Sequence, residues 1–337
     1  MAKPKVYVTR IIPDPGLSIV KENFDVEIHD SMDYPPSREE ILEKVKDKDA
    51  ILCLLTDKID EKVMDVAPNL KVISTMSVGY DHIDIEVATK RGIYVTNTPG
   101  VLTDAVAELT IGLLLAIARR IVEADQLIRK GEWNKPWSPL FMTGPELKGK
   151  TLGIIGLGGI GTAVARKVKG FGMKVIYYSR HRKEDLEKEL GIKYVDLETL
   201  LKESDFVSLH TALTKDTYHM IGEKQLKMMK KTAYLINTAR GAVVDTEALI
   251  KALKEGWIAG AALDVFEQEP LPPKHPITKL ENVVLAPHIG SATIEARTKM
   301  AEMSAKNLLY IFQGKMPLSL VNKEVLNIRP LEKIKML

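Results

Sequence analysis

The glycine-rich segment at residues 156–161, GLGGIG, constrains this chain more than any other feature. An apolar run at residues 151–155 precedes it and predicts a short buried strand. A helical pattern follows at residues 163–170, and a second apolar run at residues 174–178 predicts the next strand. A strand, a glycine turn, a helix and a second strand together predict a βαβ unit that binds a dinucleotide.

The three spaced glycines have separate roles in such a turn. Gly156 permits the sharp reversal, Gly158 lets the backbone approach a phosphate without an intervening Cβ, and Gly161 lets the helix pack closely on the strand. The pyrophosphate then meets N–H groups at the helix N-terminus. The residues expected to bind it are Gly156, Gly158, Gly159, Ile160 and Gly161.

The end of the second strand predicts which dinucleotide binds. A carboxylate at this position would accept hydrogen bonds from the ribose hydroxyl of NAD. This chain has Ser179 there, followed by the potential cations Arg180, His181 and Arg182. Because cations bind phosphate oxygens, we expect NADP(H) to be preferred and NAD(H) to bind more weakly. The alternative is a solvated basic loop, which also contains Lys183.

Length and composition argue against several classes of protein. The chain has 337 residues, enough for two domains, and its 48 basic and 45 acidic residues do not suggest a nucleic-acid surface. No signal peptide, membrane-spanning stretch or metal-binding cluster is indicated. The single cysteine, Cys53, is expected to be a buried thiol, which suits a reducing cytoplasm. Abundant Lys and Glu with sparse Gln and Asn are typical of a thermophile.

Strand and helix patterns alternate along the chain and predict the α/β class with parallel, doubly wound sheets. A long amphipathic helix is predicted at residues 103–130, and a final helix at residues 293–313 is expected to return to the first domain. The strands are predicted in two sets, at residues 5–8, 50–55, 71–75 and 93–95, and at residues 151–155, 174–178, 206–209, 233–236, 260–263 and 283–286.

Three polar segments, INTARG, LDVFEQEP and LAPHIG, each follow a predicted strand of the second set. Ligands of open α/β sheets bind at the carboxyl ends of the strands. Arg240 offers a forked cation to the carboxylate and carbonyl of a 2-keto acid. His288 titrates near neutral pH and suits a proton donor, and Glu269 would favour its charged form. These residues predict hydride transfer between the dinucleotide and a 2-keto or 2-hydroxy acid.

The chain resembles the D-isomer-specific 2-hydroxyacid dehydrogenases over nearly its whole length. Within that family it is most similar to the glyoxylate/hydroxypyruvate reductases, those of archaea in particular. The resemblance implies two Rossmann-like or flavodoxin-like doubly wound domains with an active-site cleft between them. It implies a substrate domain of residues 1–100 and 290–337 and a dinucleotide-binding domain of residues 101–289. The segments that carry it are VGYDHID, VAEL, GLGGIG, INTARG, DVFEQEP and LAPHIGSAT.

The resemblance also implies roles for single residues. Arg240 orients the substrate, and His288, paired with Glu269, donates the proton. The backbone N–H groups of Val78 and Gly79 bind the substrate carboxylate. NAD-preferring members carry Asp where this chain has Ser179 and Arg180, in agreement with the preference for NADP(H). Further cofactor contacts are expected from Thr103, His210, Leu213, Thr214, Thr238, Ala239, Asp264, which meets the nicotinamide amide, and Gly290.

An apolar, aromatic segment at residues 133–142, from Trp133 to Met142, resembles the dimer segment of the family. We therefore expect a homodimer through this segment and neither a nucleic-acid nor a membrane partner. Trp137 or Phe141 either enters the substrate site of the partner subunit or is a simple interface or core aromatic, and both alternatives stay open.

The predicted activity is NADPH-dependent reduction of glyoxylate to glycolate and of hydroxypyruvate to D-glycerate. Leu55, with Leu54 and Met76, suggests an apolar wall beside the carboxylate site. One alternative is another D-2-hydroxyacid dehydrogenase, such as a phosphoglycerate type. A second is a non-catalytic NAD(P)H-sensing protein of the same fold, which would bind NADPH but oxidise it negligibly with any keto acid.

Overall fold

The computed structural model describes residues 3–337, which divide into two compact units. Unit 1 comprises the chain up to Leu102 together with Ala292–Leu337, and unit 2 is Thr103–Ser291. Both boundaries lie two residues beyond those expected from the sequence. Among residues 3–337, no helix has the length and apolar character needed to cross a membrane.

Strands and helices alternate in both units. The strands are β1 Lys5–Val8, β2 Asp25–Ile28, β3 Ala50–Cys53, β4 Val72–Thr75, β5 Tyr94–Thr96, β6 Thr151–Ile155, β7 Lys174–Tyr178, β8 Lys193–Tyr194, β9 Phe206–Leu209, β10 Tyr234–Asn237, β11 Gly260–Leu263 and β12 Val283–Leu285. The helices are α1 Gly16–Asn23, α2 Arg38–Lys44, α3 Glu61–Asp65, α4 Ile85–Lys90, α5 Thr103–Ala118, α6 Ile121–Arg129, α7 Gly159–Val168, α8 Glu184–Leu190, α9 Leu197–Glu203, α10 Glu223–Met228, α11 Thr246–Lys254, α12 Ile294–Phe312 and α13 Val325–Ile328.

The described strands of unit 1 form one parallel sheet with the order β2-β1-β3-β4-β5. This is the flavodoxin-like order, in which helices cover both faces of the sheet. Every residue of β3 and β4 is buried, which explains why their apolar runs were visible in the sequence. The core on one face comes from Tyr7, Ile51, Ile73 and Val95.

Helix α12 packs against α1 and against β4 within unit 1. Gly16 lies so close to α12 that a Cβ there would be 2.5 Å from the carbonyl of Ala301. Ser74 donates its hydroxyl to the carbonyl oxygen of Ser304 at 2.9 Å. The C-terminal segment is therefore an integral part of the unit that begins with β1.

The described strands of unit 2 form a second parallel sheet, with the order β12-β11-β10-β9-β6-β7-β8. Counted from β6, this is the Rossmann order 3-2-1-4-5-6 with one further edge strand. The strand order reverses between β6 and β9. Ligands of such sheets bind at the carboxyl ends of the strands near this reversal, which is where the GLGGIG turn lies.

The prediction of a single helix at residues 103–130 was wrong in one respect. The structure has two helices there, α5 and α6, with a break after Ala118. Arg120 has a φ of 53°, and its guanidinium binds Glu123 at 2.8 and 2.6 Å. Gly144 packs on the last turn of α5, where a Cβ would lie 2.0 Å from the carbonyl oxygen of Ala118. The edge strands β2 and β8 had no sequence signal because they are short and only partly buried.

Candidate active site

The glycine turn links β6 to α7 in a conformation that only small residues allow. Gly156 has a φ of +96°, and a Cβ there would lie 2.6 Å from the carbonyl oxygen of His210. A Cβ on Gly161 would lie 2.2 Å from the carbonyl oxygen of Gly156. A Cβ on Gly158 would meet no atom within 4 Å, so the space in front of this residue is open to a ligand.

The N-terminus of α7 faces this turn with unused backbone donors. The first intrahelical hydrogen bond is donated by Thr162 to Gly158 at 2.9 Å. The N–H groups of Gly159, Ile160 and Gly161 precede it and have no acceptor within residues 3–337. An open glycine cradle beside free N–H groups at a helix N-terminus fits the pyrophosphate of a dinucleotide. The hydroxyl of Thr103 is close to the cradle, 3.6 Å from the position of a Cβ on Gly159.

The basic segment after β7 contains one arginine that is paired with a carboxylate and other exposed cations that are not. Arg182 binds Glu187 through two hydrogen bonds of 2.8 and 2.9 Å, and this interaction lowers the pKa of Glu187 to about 2. Ser179 donates its hydroxyl to the carbonyl of His181 at 2.5 Å. Arg180 is exposed and forms no hydrogen bond or ion pair with any described residue. Arg180, which directly follows Ser179, is therefore free to meet a phosphate, as is the exposed side chain of Lys183, which has no ion-pair or hydrogen-bond partner within residues 3–337.

The loop after β9 passes the same glycine turn. Nε2 of His210 shares a hydrogen bond of 2.8 Å with the hydroxyl of Ser208. The backbone N–H of His210 donates to the carbonyl of Ile155 at 2.7 Å. Burial lowers the pKa of His210 to about 3, so its imidazole is neutral. Leu213 is partly buried against the core, whereas Thr214 is exposed.

The segment after β10 is a turn organised by Asn237, a residue that the sequence reasoning missed. Its side-chain oxygen accepts the N–H of Ala239 at 3.0 Å, and its side-chain amide donates to the carbonyl of Arg240 at 2.9 Å. Thr238 is buried and shares a hydrogen bond of 2.8 Å with Thr110. The signal available was an Asn directly after the strand predicted at residues 233–236, a position that favours Asx turns. The turn fixes the backbone that carries Arg240.

The segments after β11 and β12 bring Glu269 and His288 together. Oε2 of Glu269 lies 2.6 Å from Nδ1 of His288, and Oε1 accepts the N–H of Phe266 at 2.9 Å. The two side chains are 29% and 25% exposed, so the pair is open on one side. Burial opposes ionisation of Glu269, but the hydrogen bond from His288 holds the pKa of Glu269 below its ordinary value.

This pairing assigns the two ring nitrogens of His288. An ionised carboxylate only accepts hydrogen bonds, so Nδ1 carries a proton toward Glu269. Nε2 has no hydrogen-bond partner within residues 3–337 and is the nitrogen that can exchange a proton with a substrate. The pair has the arrangement of an oriented general acid.

Asp264 holds the turn that carries His288. Its two carboxylate oxygens accept the N–H groups of Ile289 at 2.7 Å and Gly290 at 2.8 Å, and its carbonyl accepts the N–H of His288 at 2.8 Å. His288 has a φ of +54°, which costs a residue with a Cβ about 1–3 kcal/mol. Burial raises the pKa of Asp264. The three hydrogen bonds stabilise this strained backbone, a role that the sequence did not indicate.

In unit 1, the segment after β4 carries Val78 and Gly79, both partly exposed. Ser77 is buried and donates its hydroxyl to the carbonyl of Gly79 at 2.7 Å. Leu55 follows β3 and is partly exposed. These residues lie at the carboxyl ends of adjacent strands, and they belong to a different unit from Arg240, Glu269 and His288.

Comparison with known proteins agrees with this geometry. The profile described as D-isomer specific 2-hydroxyacid dehydrogenase, NAD binding domain, matches residues 111–290. The chain belongs to the D-isomer-specific 2-hydroxyacid dehydrogenase family. This confirms the resemblance drawn from the sequence motifs.

Members of the family match the chain along its whole length. A glyoxylate reductase of Thermofilum pendens is 69% identical over 338 aligned residues, and the alignment covers 100% of both chains. A glyoxylate reductase of Thermococcus litoralis is 62% identical, with 97% of this chain and 99% of the relative covered. This chain is also similar to the crystal structure of the NADPH-dependent glyoxylate/hydroxypyruvate reductase from Sinorhizobium meliloti in complex with NADP and malonate, with a TM-score of 0.84. The two sequences are 34% identical, and the match covers 96% of this chain and 98% of the S. meliloti chain.

The match and the geometry together define the class of protein. As a member of the D-isomer-specific 2-hydroxyacid dehydrogenases, the chain is an NAD(P)-dependent oxidoreductase with two α/β units. A nicotinamide dinucleotide is its cofactor, and the glycine cradle of unit 2 fits that group.

Proposed function

We propose that this enzyme uses NADPH to reduce glyoxylate to glycolate and hydroxypyruvate to D-glycerate. The relatives named glyoxylate reductase, up to 69% identical over the full length, support this substrate class. The observation that carries the chemistry is the hydrogen bond between Glu269 and Nδ1 of His288 at 2.6 Å. It supports a proton donor beside the cofactor-binding edge of the sheet.

Reduction of a 2-keto acid requires a hydride at the carbonyl carbon and a proton at the carbonyl oxygen. Bound NADPH supplies the hydride. His288 delivers the proton from Nε2, and Glu269 stabilises the imidazolium before the transfer and orients the ring. Arg240 binds the carboxylate and carbonyl oxygens of the substrate, with its backbone held by Asn237. The N–H groups of Val78 and Gly79 bind the substrate carboxylate.

The preference for NADPH rests on the segment after β7. The site has Ser179 in place of a carboxylate and leaves Arg180 exposed without a protein partner in the described chain. Arg182 adds positive charge nearby, although its ion pair with Glu187 neutralises part of that charge. We assign the 2′-phosphate contact to Arg180 and a supporting role to Ser179, His181 and Arg182.

We propose that the enzyme is a homodimer through residues 133–142. Every residue from 131 to 141 is exposed, including Trp137 at 82% and Leu140 at 85%. The apolar residues Ile121 and Ile128 of α6 are also more than half exposed. A cavity of about 250 Å³ at the junction of α5 and α6 offers a place for partner side chains. A monomer would leave this apolar surface in water, so a second copy is the occupant that we assign.

A cytoplasmic location and a thermophilic source complete the proposal. A single, buried cysteine leaves no possible intrachain disulfide. Four ion pairs link five residues of unit 1 into one network, a feature that is common in thermophile proteins. It joins Lys5, Asp47, Lys48, Glu27 and Lys44.

A steady-state assay tests the proposed activity. Purified enzyme is mixed with NADPH and glyoxylate, hydroxypyruvate, pyruvate or 3-phosphohydroxypyruvate, and NADPH absorbance is followed. We expect the highest kcat/KM with glyoxylate and hydroxypyruvate. In the control, His288→Gln should lower kcat at least about 100-fold, the low end for general acid catalysis. A preference for 3-phosphohydroxypyruvate, or binding of NADPH without turnover, would contradict the proposal.

A further inference from the structure

The segment after β4 holds three successive carbonyl groups in fixed directions. The carbonyl of Ser77 accepts the N–H of Thr98 at 2.9 Å, and the carbonyl of Val78 accepts the side-chain amide of Asn97 at 2.8 Å. The carbonyl of Gly79 accepts the hydroxyl of Ser77 at 2.7 Å. Each of three consecutive peptide groups is therefore tied to the protein through its oxygen.

The same peptide groups leave their N–H groups unused. The N–H groups of Val78, Gly79 and Tyr80 donate to no acceptor within residues 3–337. In a planar trans peptide the N–H points opposite to the C=O. Because the carbonyls of Ser77 and Val78 both point to the segment of Asn97, the N–H groups of Val78 and Gly79 both point away from it. Successive unpaired N–H groups form an anion-binding concavity.

Asn97 is itself locked in one orientation. Its side-chain oxygen accepts the hydroxyl of Ser319 at 2.6 Å, which directs the amide nitrogen to Val78. Its backbone carbonyl accepts the side-chain amide of Asn307 at 3.2 Å. Asn97 is only 7% exposed. A buried amide with both ends used cannot rotate without losing hydrogen bonds, so it is a rigid support for the Val78 carbonyl.

We propose that Asn97 is a positioning residue that aims the N–H groups of Val78 and Gly79 at the substrate carboxylate, with Ser319 locking it. This inference rests on the proposed function, because it takes a 2-keto acid carboxylate as the bound anion. Asn97 does not touch the substrate, and it acts through the peptide group between Val78 and Gly79. The carboxylate is unchanged during reduction, so loss of this N–H orientation weakens the binding of the substrate and of the transition state equally. The expected effect is therefore a higher KM with an unchanged kcat.

The test compares Asn97→Asp with a matched buried asparagine of the same unit. In Asn97→Asp the donor is replaced by an oxygen that repels the Val78 carbonyl. In the control, Asn322→Asp, the altered residue is 1% exposed and binds Val95, Thr89 and Ile93, none of which belongs to residues 77–80. The readouts are KM for glyoxylate, KM for NADPH, kcat, Tm, and the Kd of oxalate, a dianion that cannot be reduced, for the enzyme with NADP⁺.

We expect Asn97→Asp to raise the glyoxylate KM and the oxalate Kd about tenfold, as for loss of one hydrogen bond of about 1.4 kcal/mol, with NADPH KM and kcat near the parent values. Asn322→Asp should lower Tm without changing the glyoxylate KM or the oxalate Kd. Ser319→Ala, a milder variant that keeps the Asn97 donor, should raise both constants by a smaller factor.

Two results would overturn the inference: parent-like oxalate Kd in both Asn97→Asp and Ser319→Ala, or equal changes in Asn97→Asp and Asn322→Asp. The oxalate measurement needs no turnover. If the parent enzyme failed to reduce glyoxylate, the proposed function would fall while the binding comparison would still decide the role of Asn97.

Discussion

Asp264 accepts the N–H groups of both residues that follow His288, at 2.7 and 2.8 Å. One buried carboxylate thereby holds the turn on which the proposed proton donor stands, in a backbone conformation with a φ of +54°. The sequence suggested only a cofactor contact for Asp264. The hydrogen bonds indicate that it also fixes the position of the imidazole.

Asp264→Asn should lower kcat by about tenfold or more, because the new amide group presents a donor to a backbone N–H and the turn must shift. A displacement of about 1 Å at a catalytic group can cost about 100-fold in rate. The control is Asp245→Asn, at the N-cap of α11, where the side chain accepts the N–H of Ala248 at 3.0 Å and Asn is an equally good cap. Equal kcat values for the two variants would show that the Asp264 turn does not matter for the proton donor.

Glu269→Gln should change both the pH profile and the acid stability. The substitution removes the negative charge that accepts the hydrogen bond from Nδ1 of His288 and favours the protonated imidazole, so the alkaline limb of the kcat profile should move to lower pH. Because the pKa of Glu269 is lowered in the folded enzyme, its stabilising effect is present above its unfolded pKa of about 4.3 and disappears as the pH falls through the folded value.

Two measurements check this. The kcat profile from pH 5 to 9 should show the shift, and an alkaline limb at the parent pH would mean that Glu269 does not tune His288. The Tm advantage of the parent over Glu269→Gln should shrink as the pH falls below about 4. A Tm advantage of the parent that grew as the pH fell would contradict the stabilising role of the ionised Glu269.

Arg180→Ala should raise the KM for NADPH about ten- to a hundredfold, the factor for one charge-assisted hydrogen bond of about 1.5–3 kcal/mol. The KM for NADH, which lacks the 2′-phosphate, should stay near the parent value. Arg182→Ala is the matched comparison and should have a smaller effect, since that guanidinium is already bound to Glu187. Equal losses with both cofactors would refute the assignment of Arg180.

Two glycines of the cradle should respond differently to the same methyl group. Gly158→Ala meets no protein atom within 4 Å, so Tm should be kept while NADPH binding weakens at least tenfold. Gly161→Ala places a Cβ 2.2 Å from the carbonyl of Gly156, so Tm and NADPH binding should both fall. Parent-like NADPH affinity in Gly158→Ala, measured by fluorescence titration, would mean that the dinucleotide does not approach this backbone.

Sedimentation at micromolar concentration should give a dimer for the parent enzyme. Trp137→Asp places a charge in the exposed apolar segment and should shift the protein toward monomer. Tyr34→Asp, at an aromatic residue that is 77% exposed in unit 1, should leave the dimer unchanged. A monomeric parent with full activity would exclude both the interface and any role for Trp137 or Phe141 in a partner subunit.

Local sequence was sufficient for much of the fold and of the site. The strand before GLGGIG and the strand after it are buried runs of residues, so their composition alone revealed them. The segments with Arg240, Glu269 and His288 were recognisable because each follows such a run, and parallel strands bring their carboxyl ends to one edge.

Tertiary structure decided what depends on residues far apart in the chain. The short edge strands β2 and β8 exist because neighbouring strands pair with them, and the break at Arg120 coincides with the packing of Gly144 on α5. The hydrogen bonds of Asp264 to Gly290 and of Asn97 to Val78 join segments about 20 residues apart, or more, in sequence. A sequence pattern records the periodic burial of a segment, whereas such hydrogen bonds depend on where the folded backbone brings a donor and an acceptor together.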